Sequence, residues 1–158
     1  YGIDLSKGSL IEAKQFINSN DIKSVHLFRM NIFKLFFKEN TFDVVICNHV
    51  LEHVDDSHKV MTEFYRVMKP GGWGIFQVPI DTNNPNTEED KSVTDPKERE
   101  RLYWQDDHLR LFGLDYGKKL AAAGFKVTES DFINELDSKL VKRYALPKGE
   151  IIYFCEKI

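Results

Sequence analysis

The sequence is short of several things, and each shortage removes a class of protein. It has two cysteines in 158 residues, Cys47 and Cys155, far apart and without paired spacing. That leaves no disulfide framework and no cysteine-built zinc site, and both thiols fall in apolar segments, as suits a reducing cytoplasm. There is no basic excess: 22 Lys and Arg stand against 25 Asp and Glu, for a formal charge of −3 and a pI near 6.0. A nucleic-acid-binding surface needs a basic face, so the balance speaks against one, and the Lys-Arg pairs read as solvated faces. No apolar run approaches the ~20 residues of a membrane-spanning helix, and no signal peptide is visible. Internal repeats are absent, and the length fits one domain able to bury a real core. The chain opens on Tyr1, without Met and in mid-strand, so a fragment of a longer protein is expected.

What is present is organised around Phe42 to Pro79, FDVVICNHVLEHVDDSHKVMTEFYRVMKPGGWGIFQVP. Phe42 to Cys47 is nearly unbroken apolar, too short for a free-standing helix and without alternation, which predicts a strand covered on both faces. From Ser57 to Met68 the residues Val60, Met61, Phe64, Val67 and Met68 recur at helical spacing, with Ser57 or Asp56 as N-cap. Pro70, Gly71 and Gly72 are expected to stop that helix, and Trp73 to Val78 to form a second buried strand. Strand, crossover helix and strand pack right-handed, which makes the strands parallel. Ligands of such sheets sit beyond the carboxyl ends of the strands, so chemistry belongs at Asn48 to His53.

On either side the pattern continues. Tyr1 to Asp4 reads as a strand tail ending in a carboxylate, which either accepts both vicinal hydroxyls of a ribose or caps the next turn. Ser9 to Glu12 is a capping box, and Leu10, Ala13, Phe16 and Ile17 make the core stripe of the helix that follows. Val25 to Phe28 reads as another strand, and Leu35, Phe36, Phe37 and Phe42 are expected to pack the sheet face. His49 to His53 also spells H-x-x-E-H, a zinc-protease pattern. That pattern needs a helix holding two imidazoles one turn apart, whereas here it directly follows a strand, so no metal is expected. An imidazole such as that of His53 suits acceptance of a proton near neutral pH; the alternative is that Glu52 and His53 only hold the elbow together.

Pro79 to Arg101 is crowded with Asn, Thr, Asp, Glu and Pro, and residues 80–101 are expected to form a flexible lid, with a short helix near Pro96. The following LYWQDDHLRLFG brings Tyr103, Trp104, His108 and Arg110 together, groups suited to a planar or anionic substrate. Alternatively Trp104 and Leu109 pack while Arg110 pairs with Asp106 or Asp107. Leu114 to Ala123 is a helix ended by Gly124, Phe125 to Thr128 a strand, Ser130 to Gly149 a helical pattern, and Ile151 to Cys155 a closing strand.

FDVVICNHVLEHVDD followed by RVMKPGGWGIFQVP resembles the fourth and fifth motifs of class I S-adenosylmethionine-dependent methyltransferases, in the branch that carries an x-x-V-L-E-H elbow. YGIDLS is similar to the family's second-strand motif, and FGLDYGKKLAAAGFKV to its late helix and strand. The resemblance implies an α/β, Rossmann-like methyltransferase fold: a single domain over 1–158, mostly parallel sheet, helices on both faces, the last strand antiparallel. It lacks the first strand and the Gly-rich loop, so the strands flanking that gap are expected to expose an edge or meet abnormally.

By the same resemblance the cofactor is S-adenosylmethionine, with Asp4 and Leu5 at the ribose, Asn31 and Ile32 at the adenine, and Asn48 and His49 at the methionine and sulfonium end. Asn31 stands where the family usually has an aspartate; its carbonyl oxygen still accepts the adenine amine, more weakly. Glu52, Tyr103, Trp104 and Arg110 are expected at the substrate, and His53 or His108 as the catalytic base. The implied activity is in-line methyl transfer to a small molecule, with no nucleic acid or membrane partner and a homodimer left open. Two other readings stand: a non-catalytic remnant or interaction module of the fold, and a nicotinamide-dependent oxidoreductase that would also use Asp4 on a ribose.

Overall fold

The computed structural model describes residues 2–3, 14–15, 17–19, 27–28, 31–147 and 149–158. They fall into two compact units, 1–38 and 39–158. In the first, β1 (Gly2–Ile3) pairs in parallel with β2 (Leu27–Phe28), and residues 14–15 and 17–19 are helical. Ser9, Leu10, Glu12, Ala13 and Phe16 lie outside the described residues. Leu35 is buried as expected, whereas Phe36 is exposed and does not pack.

The second unit runs β3 (Phe42–Asn48), α1 (Ser57–Val67), β4 (Met68–Gln77), α2 (Pro96–Tyr103), α3 (Tyr116–Ala122), β5 (Lys126–Ser130), a 3-10 turn (Phe132–Glu135), α4 (Ser138–Arg143) and β6 (Ile152–Glu156). Its sheet has the order β3-β4-β6-β5. β3 and β4 are parallel around the α1 crossover, and β6 runs antiparallel to both β4 and β5. The sheet is therefore mixed, with its parallel part confined to β3 and β4. Among the described residues β1 pairs only with β2 and β3 only with β4.

The core forms on one face of this sheet. Asp56 caps α1, its carboxylate accepting the Lys59 N–H at 2.9 Å, and Val60, Met61, Phe64 and Val67 are buried along the stripe the spacing predicts. Phe64 packs on Phe76 of β4 with ring centroids 5.4 Å apart, and Phe76 packs on Phe125 at 5.2 Å. Tyr116 of α3 donates its hydroxyl to the Phe76 carbonyl at 3.2 Å and meets Tyr153 of β6 edge-on. Each such side chain contributes roughly 1.5–3 kcal/mol through burial. The opposite face differs from expectation: Val44 is 39% and Ile46 68% exposed. Alternate residues of a strand point to opposite faces, and α1 and α3 cover only the one that holds Cys47, Phe76 and Tyr153.

The end of α1 also differs. Met68 is already extended and opens β4, so Lys69 to Gly72 belong to the strand and not to a helix stop. Phe42 pairs with Met68 and Val44 with Trp73, so residues 69–72 bulge from the ladder. A Cβ on Gly72 would lie 2.8 Å from the Lys69 carbonyl oxygen and 2.9 Å from that of Asp43. Close backbone approach, and not helix termination, is what requires glycine there. Gly72→Ala is expected to cost about 1–3 kcal/mol by overpacking two backbone oxygens. Urea unfolding would measure it, beside Gly71→Ala, where a Cβ meets nothing within 4 Å and only the positive φ of 76° is at stake; equal costs would refute the close-approach argument.

Candidate functional site

β3 ends at Asn48, and the chain turns sharply at His49, whose φ of 52° lies in the left-handed region. Such a conformation is uncommon for a non-glycine residue and persists where surrounding bonds impose it. Here the His49 N–H donates to the Gln77 carbonyl at 2.9 Å, tying the turn to the end of β4. Asn48 and His49 are exposed beyond the carboxyl ends of the parallel pair, the place the topology reserves for ligands.

The turn then carries Glu52 inward. Its side chain is 1% exposed, and neither carboxylate oxygen has a hydrogen-bond partner among the described residues. Three imidazoles surround it. His49 Nδ1 is 3.2 Å and His53 Nε2 3.9 Å from Glu52 Oε1; the ring of His108 meets that of His53 edge-on, centroids 4.7 Å apart. His53 is 30% exposed and sets its Nδ1 3.2 Å from Asp107 Oδ2. His108, 4% exposed, sets its Nδ1 2.8 Å from the Tyr103 carbonyl oxygen. The two expected catalytic histidines thus meet at one carboxylate, although 55 residues of chain separate them. Burial, with the charge of Glu52 second, pushes the nearby Cys47 thiol up to about 12, so it is no nucleophile at neutral pH.

Two of the expected substrate residues serve the scaffold instead. Arg110 is buried, and all five of its N–H donors are taken: two by the Glu89 carboxylate and the rest by the carbonyls of Leu51, Val54 and Asp55. Its partner is Glu89, not Asp106 or Asp107, and nothing is left for a substrate anion. Tyr103 is buried with its hydroxyl accepting the Asp90 N–H at 3.0 Å. Sequence order hid both roles, because the partners lie on the turn after β3 and on the 80–101 segment. Trp104 is exposed, at φ 73°, capping α2.

The same contacts correct the picture of residues 80–101. Bridges Ile80 to Phe112 and Glu88 to Leu111 fasten the segment, as do the Thr87 bonds to Asp115 and the Glu89 pair. The expected loose lid is a pinned strap, carrying the expected short helix behind an Asp95 cap. A cavity of about 230 Å³ opens beside Glu89, Arg99 and Arg110, and the histidine cluster does not line it.

Asp4 and Leu5 lie outside the described residues. Asn31, in the first unit, uses its Oδ1 to accept the Phe33 N–H at 2.9 Å, the self-satisfied turn of a loop asparagine, and Ile32 is buried. Among the described residues no helix is long and apolar enough to cross a membrane.

The Arg110 carboxylate pair makes an acid-sensitive tie. The hydrogen bond from Arg110 holds the Glu89 carboxyl below its ordinary 4.5 in spite of burial. A depressed folded value means the unfolded chain binds the proton more tightly, so the contribution is present above 4.5 and lost as pH falls through the lowered value. Glu89→Gln should therefore flatten the loss of stability below pH 4.5, read by thermal melts across pH. Arg110→Met should cost about 3–5 kcal/mol, since it strands a carboxylate and three carbonyls.

Comparison with known proteins agrees with this geometry. The family described as "Methyltransferase domain" matches residues 1–76. A demethylmenaquinone methyltransferase of Bacillus mycoides strain KBAB4 is 39% identical over 85 residues, 54% of this chain and 35% of that relative; the aligned segment thus spans about a third of the curated relative's length. Among solved structures, the [4+2]-cyclase SpnF shares 16% identity at a TM-score of 0.71, covering 99% of this chain and 65% of the other. An S-adenosylmethionine-dependent methyltransferase of Mesorhizobium loti shares 17% at 0.63, covering 98% and 77%. The family match thus covers the first 76 residues, just under half of the chain, and the solved structures share its fold; the chain is similar to S-adenosylmethionine-dependent methyltransferases in that segment and in architecture.

Proposed function

We propose that this protein transfers a methyl group from S-adenosylmethionine to a small-molecule acceptor with an ionisable hydroxyl. The observation that carries the reading is the Asn48 to His53 elbow, which lies within the matched segment and exposes Asn48 and His49 beyond parallel strands. The residues there fit the cofactor: Asn48 and His49 present polar side chains on an open rim, with His49 Nδ1 facing Glu52 at 3.2 Å, suited to a charged amino-acid end. S-adenosylmethionine supplies, when bound, a methyl group on a sulfonium with an excellent leaving group. Asp4 and Leu5 are the proposed ribose contacts, and Asn31 with Ile32 the proposed adenine contacts.

Since little covalent work falls to the protein, positioning dominates. Holding donor and acceptor in line supplies on the order of 7–11 kcal/mol. Of the two clustered histidines, His53 is the reachable one and is placed to take the acceptor's proton, with Glu52 on one side and Asp107 on the other to stabilise the imidazolium. His108, buried edge-on behind it, fixes its ring. Relatives named for demethylmenaquinone favour a quinone-type ring as acceptor.

His53→Gln should lower kcat by about 10²–10⁴-fold while leaving cofactor affinity unchanged. Asp4→Ala should weaken S-adenosylmethionine binding by about 1–3 kcal/mol, the scale of a lost charged hydrogen bond. Calorimetry on the full chain tests both: unchanged affinity in Asp4→Ala removes that residue from the site, and no uptake by the wild-type chain removes the reading.

A further inference from the structure

We propose that Glu52, His53 and His108 bind one divalent first-row transition cation. Ligand atoms from the three lie within 4.8 Å of one another. The carboxylate is the decisive observation: Glu52 is 1% exposed, neither oxygen makes a hydrogen bond among the described residues, and only the rim imidazole of His49 stands as near as 3.2 Å to Oε1, so a compensating charge is still wanted at a buried carboxylate. The imidazoles are already set up as ligands. A carbonyl only accepts, so His108 Nδ1 at 2.8 Å from the Tyr103 oxygen carries its proton, and its Nε2 presents a lone pair. His53 is held likewise by the Asp107 carboxylate at its Nδ1, with Nε2 facing Glu52. An acceptor on the far ring nitrogen is the usual outer support of a metal-bound histidine.

Two imidazoles and a carboxylate suit Mn²⁺, Fe²⁺, Co²⁺ or Zn²⁺ and disfavour Mg²⁺ and Ca²⁺, which prefer all-oxygen sets. Two donors on one ion lie at most about 4.2 Å apart, twice a ~2.1 Å bond. The cluster therefore contracts slightly on binding, a movement open to the half-exposed His53 ring. Of the two histidines in the H-x-x-E-H spelling only His53 is a ligand here: His49 stays on the rim, its place is taken by His108 from beyond the 80–101 strap, and Glu52 joins as a ligand. Three protein ligands leave a coordination position open. On the methyl-transfer reading, that position holds the acceptor oxygen and favours its ionised form, the proton leaving to water, and His53 then acts as ligand in place of base. Cation binding itself does not depend on that reading.

The test titrates the chelator-stripped full chain with Co²⁺, followed by visible absorption and calorimetry, with Zn²⁺ in competition. One equivalent should bind and show nitrogen-ligated Co²⁺ bands. Glu52→Gln and His53→Gln should weaken it by about 100-fold or more, and Asp107→Ala, which touches no cation, by about 10–100-fold at unchanged stoichiometry. Should the buried Glu52→Gln fail to fold, His53→Gln and the exposed Asp107→Ala carry the test. No uptake by folded wild-type chain, or uptake indifferent to all three substitutions, overturns the proposal. S-adenosylmethionine binding, measured on the same samples, separates the readings: cofactor binding without cation uptake sinks only this site, and the reverse sinks only the methyl-transfer reading.

Discussion

The guanidinium of Arg110 ties together three segments that are far apart in the sequence. It joins three carbonyls of the turn after β3 to the carboxylate of Glu89 on the strap, while the neighbouring Leu109 N–H donates to the Glu52 carbonyl at 2.8 Å. A fork of five donors can do this because its geometry is rigid and it stays charged. Turn, strap and residues 108–111 thereby become one body, and Glu52 is swung inward as His53 and His108 are brought face to edge. A lysine, with three donors, could satisfy at most three of those five acceptors.

Local pattern made the strands and helices legible. The Asp56 cap, the α1 stripe and the short helix behind Asp95 follow from rules of spacing and capping that act within a few residues, whereas the antiparallel closing strand is implied by the family resemblance alone. What eluded such rules depends on partners distant in sequence. Gly72 reads as a helix stop until Asp43 is seen beside it. Likewise the apolar run of β3 promised two covered faces, while only the packing of α1 and α3 decides that Ile46 stays open. The candidate site was legible to the same degree: the elbow and both histidines stand out by residue type, whereas the scaffold duties of Arg110 and Tyr103 are set by Glu89 and Asp90.

Fold alone would not separate the readings. A cyclase and a methyltransferase both share this architecture at identities below 20%, and one scaffold hosts many chemistries. A nicotinamide enzyme would also place a carboxylate after its second strand, but it has no use for an Asn-His rim above a buried Glu-His-His cluster. On the proposed methyl-transfer reading the matched segment and this cluster serve the reaction, whereas in a bare interaction module the buried Glu52 carboxylate would be a cost with no return.

Departures from the rules of stable folding gather here in a telling way. Positive φ also occurs at Asn40 and Ala145, away from the site, but His49 and Trp104 flank the two arms that deliver the cluster's ligating groups. Glu52 adds a carboxylate sealed from water with imidazoles nearby and no hydrogen bond among the described residues. Each departure works against stability by itself, and a sequence selected only to fold would replace Glu52 with an apolar residue of similar size at no loss. Its persistence at the focus of three imidazoles, braced from behind by Asp107 and Tyr103, is what a site prepared for a positive charge or a migrating proton requires.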